Sequence, residues 1–385
     1  MSCIILKKGR EKSLLQRHPW IFSGAIESAP ECEKGTLLPI HDHSGQFLAQ
    51  SYYNASQSLA ARVLSFDQEP IQKSLQKKVV AAHKLREMLF QGQNTNTYRL
   101  INGEGDGLPG LIVDRYDTLY VMQISTWGML RLKDQIVEAL VTAVKPRSIY
   151  LKLSATDPED LKLKAGTLFG DKIHQTQVLE NGITFHVDCE KGQKTGLFLD
   201  QRRMRELVGS YSKNRRVLNG FSYTGGFSLY ALQAAAQKVT SVDVSQWATE
   251  QCRHNVALNG FSNHTAIEKD FFAFLKQATT IDAELIILDP PAFAKKREDI
   301  PAACSAYKEL NRLVFEKAEP GTVLLSASCS YQIDAKLFQT LLFQAAADAG
   351  REVQILARHR QAEDHPISIF HPEGDYLKSL LLLII

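Results

Sequence analysis

The chain has 385 residues, too many for one domain of ordinary size, so two or three are expected. Its hydrophobic content of 44% is that of a folded globular protein and argues against a disordered one. A formal charge of +3 is too small to establish a nucleic-acid partner by itself, so the distribution of charge must carry that argument.

The first region, to about residue 72, reads as short strands and turns. Thr36 to Asp42 and Gln46 to Tyr53 flank His43-Ser44-Gly45, a hairpin signal, and Ala61 to Phe66 is a further strand. Residues 1–26 carry a net charge of +4, with Arg10, Lys12 and Arg17 near the aromatic Trp20. Residues 73–187 read as a small α+β domain. Leu75, Val79, Ala82, Leu85 and Leu89 form one stripe of a helix over 70–92. A hairpin follows across Asp117-Thr118, then a helix over 128–143 and a strand from Ser148 to Leu153. From 188 onward strand and helix alternate, which predicts a parallel, doubly wound α/β sheet. Its strands are Arg216 to Phe221, Val239 to Val244, Thr265 to Glu268, Leu285 to Leu288 and Thr322 to Ala327. Its helices are expected over 226–236, 246–259, 302–318 and 334–349, and Leu380 to Ile385 reads as a buried last strand, too short to span a bilayer. Residues 190–216, with a net charge of +5, and Lys295-Lys296-Arg297 are further basic clusters. They suit a polyanionic substrate or are solvated helix faces.

The six cysteines show no C-x-x-C pair and no zinc-ligand spacing, so no metal is expected. Cys3-Ile4-Ile5-Leu6 runs straight into Lys7-Lys8, with no secretory apolar segment, so a cytoplasmic protein with reduced thiols is expected. Open α/β sheets bind ligands at the carboxyl ends of their strands. Three motifs fall there. Phe221-Ser222-Tyr223-Thr224-Gly225-Gly226 lets the backbone and a helix N-terminus approach a ligand. It is not G-x-G-x-x-G, which weakens a dinucleotide reading. Asp243, 18 residues after Gly225, can take both hydroxyls of a ribose or cap the next helix, a role for which Ser245 competes. Asp270 can meet an adenine amino group or cap the helix from Phe271.

In Asp289-Pro290-Pro291-Ala292-Phe293 the prolines remove two donors and fix the backbone, holding carbonyls and the Asp289 carboxylate toward a planar base on which Phe293 can stack. Cys329, between Ser328 and Ser330 at a strand end, is placed as a reactive thiolate. Cys304 stays open, and Cys3, Cys32, Cys189 and Cys252 are read as small buried hydrophobes. A nucleotide-like cofactor, an acid and a thiol at one edge suggest covalent methyl transfer to a pyrimidine.

Over nearly its whole length the chain resembles the bacterial RlmI-like 23S ribosomal RNA cytosine-C5 methyltransferases. The resemblance rests on Lys8 to Leu15 and His18 to Gly24, on Gly103 to Gly110, and on Lys194-Thr195-Gly196-Leu197-Phe198-Leu199-Asp200-Gln201-Arg202. It rests equally on Phe221 to Phe227, Asp289-Pro290-Pro291 and Ser328-Cys329-Ser330. The chain departs from the family pattern at Lys152 to Ala155 and at Ala292, where a lysine is expected. The resemblance implies an N-terminal PUA domain (1–72), a small α+β domain (73–187) and a Rossmann-like class I methyltransferase domain (188–385). It implies S-adenosylmethionine as cofactor and 23S ribosomal RNA as partner, with Cys329 attacking and Lys194, Thr195, Asp200 and Arg202 closing over the methyl donor. Asp289 and Pro290 would face the pyrimidine. No membrane partner is expected, and a homodimer is among the oligomeric states left open. The rival readings are an exocyclic amino methyltransferase acting on guanine N2, a non-catalytic RNA-binding assembly factor, and nicotinamide-dependent redox chemistry.

Overall fold

The computed structural model describes residues 2–154, 161–294 and 296–385; Ala155 and Lys295 of the expectations above lie outside these. The chain forms two compact units. The first comprises Met1–Asn181, Val187–Leu199 and Glu363–Gly374, and the second Gly182–His186, Asp200–Ala362 and Asp375–Ile385.

The first unit contains two sheets. Six strands are ordered Trp20–Phe22, Leu59–Ser65, Phe47–Tyr53, Thr36–His41, Ile4–Leu6 and Ile26–Ser28. The expected hairpin is present: Thr36–His41 pairs antiparallel with Phe47–Tyr53. Asp42 shapes its turn by accepting from the amides of Ser44 and Gln46, both at 2.9 Å, as Asp commonly does in turns. Five strands form the second sheet, ordered Gly166–Gly170, Ser148–Leu151, Leu119–Ile124, Leu111–Tyr116 and Thr97–Asn102. Helix Ile71–Phe90 buries Leu75, Val79 and Ala82 in the same core, as its 3.6-residue stripe requires. The single helix expected over 128–143 is two, Trp127–Arg131 and Lys133–Val144, separated by Leu132.

The two sheets on either side of the expected boundary at residue 72 lie in one compact unit. Tyr52 of the first sheet belongs to the core of the second, and its hydroxyl donates to the Pro109 carbonyl at 2.8 Å. Gly128 makes this possible, since a Cβ there would lie 2.0 Å from the Tyr52 ring. Residues 187–199 and 363–374, beyond the expected boundary at 188, also belong to the first unit. Arg86, fully buried, pairs with Asp106 and donates to the Asp364 carbonyl at 2.7 Å. The Asp364 carboxylate accepts from the Arg99 amide at 2.9 Å, while the Arg99 guanidinium pairs with Asp114. Buried charges survive only when paired in this way.

The second unit is built on seven strands, in the order His264–Glu268, Lys238–Asp243, Arg216–Gly220, Leu285–Leu288, Val323–Ser328, Lys378–Ile384 and Val353–His359. The first five are parallel. Lys378–Ile384 runs antiparallel to both of its neighbours, so it is the one reversed strand and Val353–His359 points the same way as the first five. Leu285–Leu288 and Val323–Ser328 are buried at every position, the pattern of strands covered on both faces. Helices Gly226–Gln233, Gln246–Leu258, Phe271–Gln277, Ile300–Lys317 and Ala335–Asp348 follow the parallel strands. Phe271, Tyr307, Phe315 and Phe338 fill the core beneath. The carboxyl ends of the parallel strands thus emerge at one edge, bringing residues 221–226, 243, 270, 289–293 and 329–330 to it.

Candidate active site

The turn after Arg216–Gly220 is held in an unusual backbone conformation. Gly225 has φ +87°, and two non-glycine residues, Phe221 (φ +57°) and Tyr223 (φ +48°), are also left-handed. Bulky residues occupy that region rarely, and such strain concentrates where a ligand is gripped. Asp243 holds the turn in shape. Its carboxylate accepts from the Tyr223 amide at 2.8 Å and the Ser245 amide at 2.9 Å. Ser245 takes the helix cap, accepting from the Ala248 amide at 3.3 Å, so Asp243 faces the turn instead. Asp270 caps helix Phe271–Gln277 through the Ala273 amide at 2.8 Å.

Beneath the turn lies a buried polar chain that sequence reading missed. Asn219 donates to the Ser228 hydroxyl at 2.9 Å, Ser228 meets Ser241 at 2.7 Å, and Ser241 meets His264 Nε2 at 2.8 Å. Cys252 lies 3.6 Å from both Ser241 and His264. Burial lowers His264 to about 4 and pushes the Cys252 thiol up to about 11. Asn255 donates to the Thr224 carbonyl at 3.0 Å, fixing the turn from below.

Two strands along the edge, the Asp289 side chain accepts from Gln201 Nε2 at 2.8 Å. Pro290 is buried, and its carbonyl lies 3.9 Å from Cys329 Sγ. Ser330 ties the cysteine turn to this loop. Its hydroxyl meets Tyr307 at 2.9 Å and accepts from the Ala294 amide at 3.3 Å. Lys378 donates to the Ser330 carbonyl at 2.5 Å. Phe293 is half-buried against Tyr307, with ring centroids 4.7 Å apart. The Asp-Pro-Pro loop and the cysteine turn are therefore one assembly.

Cys304 stands outside it on helix Ile300–Lys317, its thiol pushed up by burial. Cys189 and Cys252 are buried as expected, Cys3 is half-buried, and Cys32 is exposed, against expectation. Asp200 is buried and accepts from the Tyr376 hydroxyl at 2.5 Å, and Arg202 is wholly buried at the start of helix Arg202–Ser210. Lys194 and Thr195 fall in the first unit. The Lys194 ammonium lies 4.3 Å from the centroid of the Phe198 ring. The Thr195 hydroxyl is buried between Asp114 (2.5 Å) and Tyr116 (2.8 Å), so it carries a structural bond there. Also in the first unit, Arg10, Lys12 and Trp20 line a hollow of about 540 Å³. Arg17 is not among its lining residues and stacks on Phe66 at 5.2 Å, while the Trp20 indole donates to Glu104 at 3.0 Å.

Residues 138–368 match the model of the S-adenosylmethionine-dependent methyltransferase family, and residues 4–66 match a PUA-like domain. A curated relative from Aliivibrio fischeri, the ribosomal RNA large subunit methyltransferase I, is 40% identical over 99% of both chains. The chain belongs to this family of S-adenosylmethionine-dependent methyltransferases. Two solved structures share its fold over 100% of both chains at 22% identity. One, a putative SAM-dependent methyltransferase from Streptococcus mutans, has a TM-score of 0.85. The other, a putative methyltransferase complexed with SAH, has a TM-score of 0.86.

The methyltransferase turn suits this cofactor. Ser222 Oγ is buried beside it without a hydrogen-bond partner, and each Asp243 oxygen keeps a second lone pair for a hydroxyl. The edge carries the carboxylates Asp243, Asp270 and Asp289, which complement a sulfonium cation. Among the described residues no group of three or more His, Cys, Asp or Glu could hold a metal ion, and no helix is long and apolar enough to cross a membrane.

Proposed function

We propose that this methyltransferase modifies C5 of a cytosine in 23S ribosomal RNA through a covalent adduct with Cys329. The supporting observation is the joining of the Cys329 turn to the Asp289-Pro290 loop through Ser330, Tyr307 and the Pro290 carbonyl. Amino-group methylation needs the acid and the aromatic but no thiol, so a cysteine built into that assembly favours the covalent route.

S-adenosylmethionine, when bound, supplies the methyl group as an electrophile. Asp243, Tyr223, Thr224 and the glycines Gly225 and Gly226 would hold it, with Asp270 at the next strand. Cytosine C5 is a poor nucleophile until a thiolate adds to C6. Cys329 makes that bond and leaves C5 enamine-like. Asp289, oriented by Gln201, holds the pyrimidine through N3 or its amino group; in its acid form it gives N3 a proton, which neutralises the negative charge that gathers there as the C6–S bond forms. Once C5 has taken the methyl group, a base such as water takes the C5 proton, the C–H electron pair reforms C5=C6, and the C6–S bond breaks to expel Cys329. Arg10 and Lys12, around the hollow they share with Trp20, would take RNA phosphates. The ribosomal RNA substrate rests on the relatives' name.

The test is RNA carrying 5-fluorocytosine. Fluorine at C5 cannot leave as a proton, so the protein should stay bonded to this RNA through Cys329, mapped by mass spectrometry. An adduct at Cys304, or turnover with no adduct at all, would overturn the covalent reading and favour amino-group methylation.

A further inference from the structure

Lys378 stands out in the last strand of the second unit. Leu377 and residues 379–382 are buried, and the run Ser379 to Ile384 carries no charge. Lys378 pairs antiparallel with Ser328, the residue before the cysteine. Its Nζ donates to the Ser330 carbonyl at 2.5 Å and to the Tyr376 carbonyl at 2.9 Å. Two carbonyls thus pin the amine against the turn that carries Cys329, and they account for two of the three protons of an ammonium.

The charged groups around it define its state. Burial lowers Lys378 from the ordinary lysine value to about 8, whereas a negative charge on Cys329 raises it, as do Asp375 and Asp334 more weakly. Asp375 is shared with Arg360 in an ion pair, and Asp334 caps helix Ala335–Asp348. Tyr307, packed on the turn from helix Ile300–Lys317, is pushed up by burial and stays a neutral phenol near pH 7. Lys378 therefore changes protonation close to the working pH, against the turn that carries the thiol.

We propose that Lys378 takes the proton of the Cys329 thiol and remains beside the thiolate as an ammonium. The inference rests on Cys329 being the nucleophile. The S–H bond breaks, the proton goes to the Nζ lone pair, and the electron pair left on sulfur forms the bond to C6. When C6–S breaks at the end of the cycle, the pair returns to sulfur and the thiolate again faces the ammonium. No fresh deprotonation is needed for the next turnover. An ammonium cannot accept the C5 proton, so that proton leaves to a different acceptor. Lys378 acts through Cys329 and is a positioning and proton-accepting residue for it.

The experiment is the rate of Cys329 alkylation by iodoacetamide from pH 6 to 10. It is followed by mass spectrometry on the full chain, for wild type, Lys378→Met and Lys378→Arg. Thiolate reactivity follows the thiolate fraction. Wild type should inflect below the ~8.5 of an ordinary cysteine. Lys378→Met should react about 10-fold more slowly at pH 7 and inflect more than about one unit higher. Lys378→Arg keeps the charge beside sulfur and should recover most of the lost reactivity. Superimposable profiles for wild type and Lys378→Met would overturn the proposal. So would a wild-type inflection at or above the ordinary value, which needs no variant to fold. A 5-fluorocytosine adduct formed together with a Lys378-independent profile removes the lysine and leaves the nucleophile reading standing. A Lys378-dependent profile without any adduct keeps the pair and removes the covalent reading.

Discussion

The turn after Arg216–Gly220 and the turn after Val323–Ser328 leave the same edge of one sheet, but different forces hold them. The first is shaped by backbone. Three residues between 221 and 225 are left-handed, and the Asp243 carboxylate is engaged by two amides. The second is shaped by side chains, with Tyr307 on the Ser330 hydroxyl and Lys378 on the Ser330 carbonyl, next to Cys329. A ligand that presents hydroxyls and a heterocycle is gripped by fixed donors and acceptors, so rigid backbone suffices. A thiol that must change protonation state needs neighbours whose own charge responds, and only side chains provide that.

The contrast can be broken one turn at a time. Replacing the nucleophile should have the largest effect. Cys329→Ala should lower turnover by on the order of 10⁴-fold or more, as loss of a covalent nucleophile does, while calorimetry finds S-adenosylhomocysteine affinity unchanged. A matching loss of affinity would show that the two turns are not separable. Asp243→Ala should weaken cofactor binding about 10²-fold, because a hydrogen bond to a charged group contributes roughly 1.5–3 kcal/mol. The Cys329 alkylation profile of that variant should be unmoved.

Gly225→Ala tests the backbone strain directly. An alanine at φ +87° costs roughly 1–2 kcal/mol, and its Cβ would lie 2.5 Å from Cys252 Sγ. The melting temperature should fall, and adding Cys252→Ala should return the part due to the clash but not the part due to φ. Full recovery would mean that the backbone conformation carries no strain. A last, pH-dependent effect concerns the polar chain beneath. His264 is lowered from 6.5 to about 4 by burial, so between those values the unfolded chain binds the proton and the folded one does not. Stability should therefore fall as pH drops from about 6.5 to 4, by at most about 3 kcal/mol. His264→Gln should remove that portion of the acid sensitivity in denaturant titrations at pH 7 and pH 5.

Much of the second unit was legible from sequence because its central strands are short, continuously apolar and closed by Gly, Asp-Pro-Pro or Ser-Cys-Ser. The edge strand Val353–His359 was not, since its residues are mostly exposed and follow no clean period. The membership of residues 363–374 in the first unit was equally hidden. It depends on contacts such as Arg86 to Asp364, 278 residues apart, which no local pattern reports. Cys329 and Asp289 were visible as residue types at strand ends. Gln201, Ser330, Tyr307 and Lys378 were not, because each matters through one neighbour brought close by the sheet. A lone lysine in the apolar run from Leu377 to Ile384 was the signal available for Lys378.

Strand Lys378–Ile384 also sets an order of assembly. It is inserted between two strands that both precede it in the chain, Val323–Ser328 and Val353–His359. During synthesis those two must wait with an open slot, and Val353–His359 has no sheet partner until the slot is filled. Because Lys378 heads the inserted strand, the thiol meets its lysine only when that slot closes. If Lys378 activates Cys329 as proposed, a growing chain carries a dormant cysteine, and the reactive one appears with the last piece of the sheet.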